Sequence, residues 1–192
     1  MTEPTPTSPT HLTRPELEAG LAHVLGSTRE RGVLVWIARR PGPGRREVLA
    51  RAELSTHDGL VGDDWRVRGS SKTPDGSAHP EKQLTIANAR ATALVARTQE
   101  RWALTGDQLY VDFDLSLDHV PPGTRLAIGE VVVELTPAPH TGCKKYCERF
   151  GAEALAFVNA PEHRPLRLRG VNARVVQAGH VRLGDVVTRW TA

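Results

Sequence analysis

Residues 166–190 read LRLRGVNARVVQAGHVRLGDVVTRW, and this stretch sets the fold class. Apolar and polar residues alternate in short runs that stop at Gly170, Gly179 and Gly184, the pattern of successive short strands separated by turns. Extended backbone through its start would put Arg167 and Arg169 on one face and Leu166 and Leu168 on the other. Working back along the chain, RLAIGEVVVELT (125–136) gives two strands joined through Gly129. QLYVDFDLS (108–116) alternates as a strand with one wet face, Val48 to Leu54 gives another, and GVLVWIARR (32–40) is a strand apolar on nearly both faces. Helices are fewer. RPELEAGLAHVL (14–25) has Thr13 as its cap, Pro15 in the first turn and Gly26 as its stop. QLTIANARATALVARTQERW (83–102) passes from a short strand into a helix, and KKYCERFGAEALAFV (144–158) is a helix bent or broken at Gly151. The expected fold is mainly β with a few helices (α+β), a closed or nearly closed barrel carrying helices on its edges.

The 192 residues suit one domain over 13–192, preceded by a flexible Thr- and Pro-rich tail over 1–12. With 25 basic and 22 acidic side chains, the net charge of +3 is too balanced to point to nucleic acid, and aromatics at 5% are too scarce for a base-stacking platform. No segment approaches the roughly 20 apolar residues of a membrane helix. Two cysteines without an export signal predict a cytoplasmic protein with free thiols.

Both cysteines lie in PHTGCKKYCERFG (139–151). Lys144, Lys145, Arg149 and, if protonated, His140 bring positive charge close to Cys143, and such charge favours thiolate. A nucleophile, a soft-metal ligand and a buried packing cysteine all remain open. Cys147 stands one turn on and could act as a resolving thiol. His140, Cys143 and Cys147 also imitate part of a zinc site, with His163 the nearest fourth ligand, although there is no CxxC. Arg167 and Arg169 suit a phosphate or carboxylate, or form a solvated face. In the long polar stretch from His57 to Lys82, Gly59 and Gly62 permit close backbone approach, and Asp63 could order the loop or bind a polar group. His79 and Lys82 close that stretch, and a structured surface turn is its plain alternative.

Seven pieces taken together resemble the MOSC family, named for the C-terminal domain of molybdenum cofactor sulfurase. They are GLVGDDW, HPEKQLTIANAR, TGDQLYVDFDLS, PPGTRLAIGEVVVELT, PHTGCKKY with RFG, LRLRGVNARVV and VRLGDVV, in the family's order from about Leu54 to Val187. The resemblance implies a strand-rich barrel in which Cys143 is the reactive cysteine, carrying sulfur as a persulfide or binding the molybdenum of the pterin cofactor. It gives Arg167, Arg169 and Lys144 the cofactor's phosphate, with His140, Gly62, Asp63 and Asn172 in the binding site. It further implies a sulfur-donor partner such as a cysteine desulfurase. No pyridoxal phosphate is expected on this chain, because the sulfurases' additional domain has no counterpart in it. The reaction itself, and whether the chain is an enzyme, stay open. The rivals are a non-catalytic module for a phosphorylated or pterin-like anion and a structural zinc protein.

Overall fold

The computed structural model of the protein describes residues 11–191. The tail expected over 1–12 therefore lies outside the described residues except for its last two. One of these, Leu12, packs on the helical core.

Helix α1 (Arg14–Leu25) starts where the sequence predicts. The Glu16 carboxylate accepts from the Thr13 backbone N–H at 2.8 Å and from its hydroxyl at 2.7 Å, which ties up a donor the first turn cannot use. The chain then enters β1 (Gly32–Arg39), whose apolar run is explained by its place in a closed wall. That wall also contains β5 (Leu84–Asn88), β6 (Leu109–Asp112), β7 (Arg125–Ile128), β8 (Val131–Leu135), β9 (Val171–Gln177) and β11 (Val186–Arg189). Their order is β11-β7-β8-β9-β5-β6-β1, and β1 pairs back onto β11 to close the barrel. All pairings are antiparallel except β5 with β6. A parallel neighbour needs a crossover, supplied here by α3 (Ala89–Ala96) and a 3₁₀ turn over Gln99–Thr105.

Side chains pointing into the barrel, among them Leu34, Ile37, Leu84, Ile86, Leu109, Leu126, Val133 and Val187, are buried in one continuous core. Each such side chain contributes on the order of 1.5–3 kcal/mol by leaving water. A second core lies outside the wall, where Leu17 of α1 and Val95 of α3 meet Phe150 and Phe157. Those two phenylalanines come from α4 (Lys144–Phe150) and α5 (Ala152–Asn159), which break as expected at Gly151, φ +92°. Among the described residues no helix is long and apolar enough to cross a membrane.

Three strand expectations need correction. The single strand over Val48 to Leu54 is two, β2 (Glu47–Leu49) and β3 (Arg51–Ser55). One edge of β1 is shared, with β2 taking Ile37–Arg39 and β11 taking Gly32 and Val33. The chain must therefore leave the wall, and β3 joins β4 (Gly59–Leu60) and β10 (Gly179–Arg182) in a separate small sheet, with the single-turn helix α2 (Trp65–Arg68) following β4. β6 has no wet face: Tyr110 is fully buried because Trp102 of the crossover turn covers it, ring centroids 6.0 Å apart. Residues 166–169 are not extended. Pro161 and Pro165 favour a 3₁₀ turn over Pro161–Leu166, and Arg167 ends it in the left-handed region at φ +51°. Gly170 (φ +98°) then passes so close to the Ile86 carbonyl oxygen that any Cβ would overlap it, and β9 begins at the next residue.

Candidate functional site beside Cys143

The segment leaving β8 carries His140 and Cys143 into α4, and it is anchored at both ends. The Thr136 backbone N–H donates to the Asn172 carbonyl at 2.9 Å and its hydroxyl to the Glu81 carbonyl at 2.6 Å. Asn172 Nδ2 donates to the Ala138 carbonyl at 3.0 Å. Nearer the thiol, the Asn159 side-chain amide clasps the Gly142 peptide, accepting from its N–H at 2.9 Å and donating to its carbonyl at 3.1 Å. A Cβ at Gly142 would lie 2.7 Å from Leu155 Cδ1, so any larger residue there has to push that side chain aside. Cys143 caps α4 with its side chain exposed, whereas Cys147 is half-buried and both thiols are free.

Two cavities flank this segment and share the wall Pro139, His140, Thr141 and Asn172. The larger, about 690 Å³, is lined on its basic side by Arg164, Arg167 and Arg169. The smaller, about 240 Å³, gathers Arg40, Arg68 and Lys82. These cations are not equally free. Arg169 is buried and donates to Asp107 Oδ2 and to the Thr105 carbonyl, both at 2.6 Å, with its guanidinium 5.0 Å from the Tyr146 ring. Arg40 forks onto Asp63 at 2.9 and 3.0 Å, and Arg68 meets Asp64 at 2.7 Å. Among the described residues, Lys82, Arg164 and Arg167 have no carboxylate partner. Arg167 gives Nη1 to the Val120 carbonyl at 2.8 Å, with the Leu115 carbonyl at 3.5 Å.

Burial alone would raise the Asp107 carboxyl, but the adjacent Arg169 charge, the His140 ring and the hydrogen bonds of Arg169 and Thr105 together outweigh it and hold the group below the usual carboxylate range. His140, with Nε2 3.5 Å from Asp107 Oδ1, is depressed to about 3, first by burial and then by the charge of Arg169. The imidazole is neutral at pH 7 and supplies no positive charge to Cys143, contrary to the sequence expectation. His140 Nδ1, Arg169 Nε and Asp107 Oδ1 are buried without a hydrogen-bond partner.

The structure thus brings His140, Asn172, Arg167 and Arg169 to the larger cavity. Arg167 and Arg169 do not form the paired strand face expected of them. Cys143 lines neither cavity but lies two residues beyond Thr141, which lines both. Lys144 is exposed beside it and also lines neither. Gly62 and Asp63 do not line either cavity. The Asp63 side chain is wholly buried and orders the loop, accepting from the N–H groups of Arg40 and Trp65 besides the Arg40 guanidinium. Gly62 (φ +83°) makes room for Arg39 rather than a ligand. The zinc arrangement is not assembled, because among the described residues no three His, Cys, Asp or Glu side chains come close enough to hold a metal ion. His163 Nδ1 is occupied by the Phe157 carbonyl at 2.8 Å. Sequence reasoning missed Asp107, Asn159, Arg40 and Arg68. Asp107 stands in one of three Gly-Asp pairs that nothing in the sequence distinguishes from ordinary turns.

The MOSC domain family model matches residues 73–188, more than half of the chain. A comparison with curated proteins found no match. Solved structures of similar fold include the YuaD protein of Bacillus subtilis, 13% identical over 85% of this chain and 99% of that one, with a TM-score of 0.57. YiiM of Escherichia coli is 17% identical over 83% and 70% of the two chains, TM-score 0.53, and YiiM of Geobacillus stearothermophilus 14% over 83% and 75%, TM-score 0.54.

Proposed function

The chain belongs to the MOSC domain family, and we propose that it binds the phosphorylated pterin molybdenum cofactor, or carries sulfur for it, with Cys143 as the working thiol. The observation that carries this reading is the juxtaposition of an exposed cysteine with two cavities whose shared wall is ringed by cations, three of them lacking a carboxylate partner. The residues fit such a group. Arg40, Arg68 and Lys82 converge on the smaller cavity and suit a phosphate. The unpartnered His140 Nδ1, on a residue of the wall the two cavities share, leaves one hydrogen bond for a bound group to complete. A thiolate suits molybdenum's preference for soft ligands. When bound, the cofactor supplies the redox chemistry. The chain's own residues hold its phosphate, and Asn159 fixes the peptide that carries the thiol. In sulfur carriage, Cys143 Sγ attacks the outer sulfur of a donor's persulfide and the donor's thiolate leaves. A cysteine desulfurase is a donor of that chemistry.

The test is to co-express the chain with cofactor biosynthesis and measure molybdenum, pterin and the mass of a sulfur adduct. Cys143→Ser should lose metal and sulfur loading, since a hydroxyl stays protonated and is a poor soft-metal ligand. A folded Cys143→Ser protein that loads like the parent refutes the reading. One observation favours a second reading, a non-catalytic anion-binding module, namely that Cys143 lines neither cavity. Alkylating Cys143 separates the two, because a pure module keeps its ligand.

A further inference from the structure

We propose that the larger cavity is a pocket for a second ligand, an organic carboxylate with a flat apolar body, held by Arg167 and distinct from the phosphate site of the smaller cavity. It rests on the function proposed above only in taking that second ligand to be what reacts beside Cys143. The volume of about 690 Å³ is ample for such a molecule. The lining is two-sided in character. Leu117, Pro122, Val158 and Val171 give it apolar wall, and Leu117 is 45% exposed, a large aliphatic side chain left facing open space. Opposite that character stand Arg164 and Arg167. Arg164 is exposed and without an ion pair among the described residues.

Arg167 decides the ligand's chemistry. Among the described residues only its Nη1 is engaged, by the Val120 and Leu115 carbonyls, and the edge formed by Nε and Nη2 has no partner there. That edge presents two parallel donors, the pattern that a planar carboxylate accepts in a bidentate pair. Its backbone adopts the left-handed region (φ +51°), an uncommon conformation for a residue with a side chain, and the carbonyls of Val120 and Leu115 fix where the guanidinium stands. Burial lowers the basicity of Arg167 with no neighbouring charge offsetting it, so an anion brought to that edge answers a charge the protein leaves alone. The neighbouring Arg169 does not compete, because Asp107 already neutralises it. The half-buried Arg167 edge beside apolar wall favours a carboxylate with a hydrophobic body, while Arg164 stands out in solvent at the rim. Among the described residues a phosphate finds Lys82 unpaired in the smaller cavity instead, beside Arg40 and Arg68, whose charges Asp63 and Asp64 already answer in part.

The experiment titrates the purified full chain, without cofactor, with 2-naphthoate and with its neutral carboxamide. The naphthoate should bind saturably and the carboxamide about tenfold more weakly, the loss expected for one charge-assisted contact. Arg167→Lys keeps the charge but not the fork and should also weaken naphthoate about tenfold. Leu117→Ser should weaken it too, while Lys82→Gln and excess inorganic phosphate should leave it unchanged. No saturable binding, equal affinity for the carboxamide, or displacement by phosphate overturns the proposal. The carboxamide comparison uses the unaltered protein, so it decides the matter even if Arg167→Lys folds poorly. Cofactor loading is measured on separate preparations. Normal loading without naphthoate binding sinks the second pocket alone, and naphthoate binding without loading sinks the cofactor reading alone.

Discussion

Replacing Asp107 by Asn removes the counter-charge of a buried guanidinium while keeping the side chain's size. In the folded protein the side chain of Arg169 is 10% exposed and that of Asp107 not at all, and they meet at 2.6 Å. Breaking a buried pair by removing one partner costs about 3–5 kcal/mol, since the surviving charge stays desolvated. Arg169 retains the Thr105 carbonyl and the Tyr146 ring, which places the expected loss near the lower end, about 3 kcal/mol. Each kcal/mol lowers the melting temperature of a chain this size by roughly 2–4 °C, so the midpoint should fall by about 6–12 °C. Urea unfolding followed by far-ultraviolet circular dichroism measures this directly, and an unchanged slope would show that the same surface is being exposed. The double variant Asp107→Leu/Arg169→Met replaces both charges with apolar groups and should be less destabilised than Asp107→Asn alone. The reasoning fails if Asp107→Asn unfolds within about 1 kcal/mol of the parent, or if the double variant is the less stable of the two.

Stability should also depend on pH through His140. Unfolded, this imidazole titrates near 6.5, whereas folded it stays neutral down to about 3. Between those values the unfolded chain takes up a proton that the folded chain refuses, so stability falls with acidification at up to about 1.4 kcal/mol per pH unit. Thermal melts should show this loss begin below about pH 6.5, and His140→Gln should flatten it above the range where carboxylates titrate; an unchanged slope in that variant counts against the buried neutral ring. Cys143 should alkylate faster than Cys147 at neutral pH, because it is exposed beside Lys144 and Lys145 while Cys147 is half-buried. Timed labelling with peptide mapping reads the order, and faster labelling at Cys147 reverses the assignment.

What the sequence revealed of this fold and what it hid follow from the range of the interactions. Local devices were legible: the Thr13 cap opening α1, the Gly151 break between α4 and α5, and the Gly129 turn joining β7 to β8 are each settled within a few residues. The alternation at 166–169 misled because two prolines and the close passage of Gly170 past β5 override it, and that passage is a tertiary fact. β6 alternates like a half-wet strand, and only the folding-over of Trp102, from the crossover turn just before it, dries its outer face. At the site, Cys143, His140, Arg167 and Arg169 announce themselves by type, whereas Arg40 and Arg68 look like any surface arginine until the fold brings them to the smaller cavity. Asp107 meets Arg169 across 62 residues of chain, and Asn159 reaches back 17 to Gly142. Such pairs leave no periodic trace, and a Gly-Asp that neutralises a buried charge is spelled like one that merely turns.

The closure of the barrel has a kinetic consequence. The first wall strand, β1, is sealed by the last, β11, through Gly32 to Val187 and Val33 to Val186. Every other strand of the wall lies between these two in sequence, and contacts so distant slow folding because loop entropy is spent before they form. Until β11 arrives, β7 and the early part of β1 are open edges with unpaired backbone groups, inviting strands from other molecules. During synthesis the helices α1 and α3 can already meet on their apolar faces, but the wall itself waits for β11 to emerge from the ribosome. Substitutions that weaken the β1–β11 seam should therefore lower the yield of soluble protein more than they lower the melting temperature of the molecules that do close.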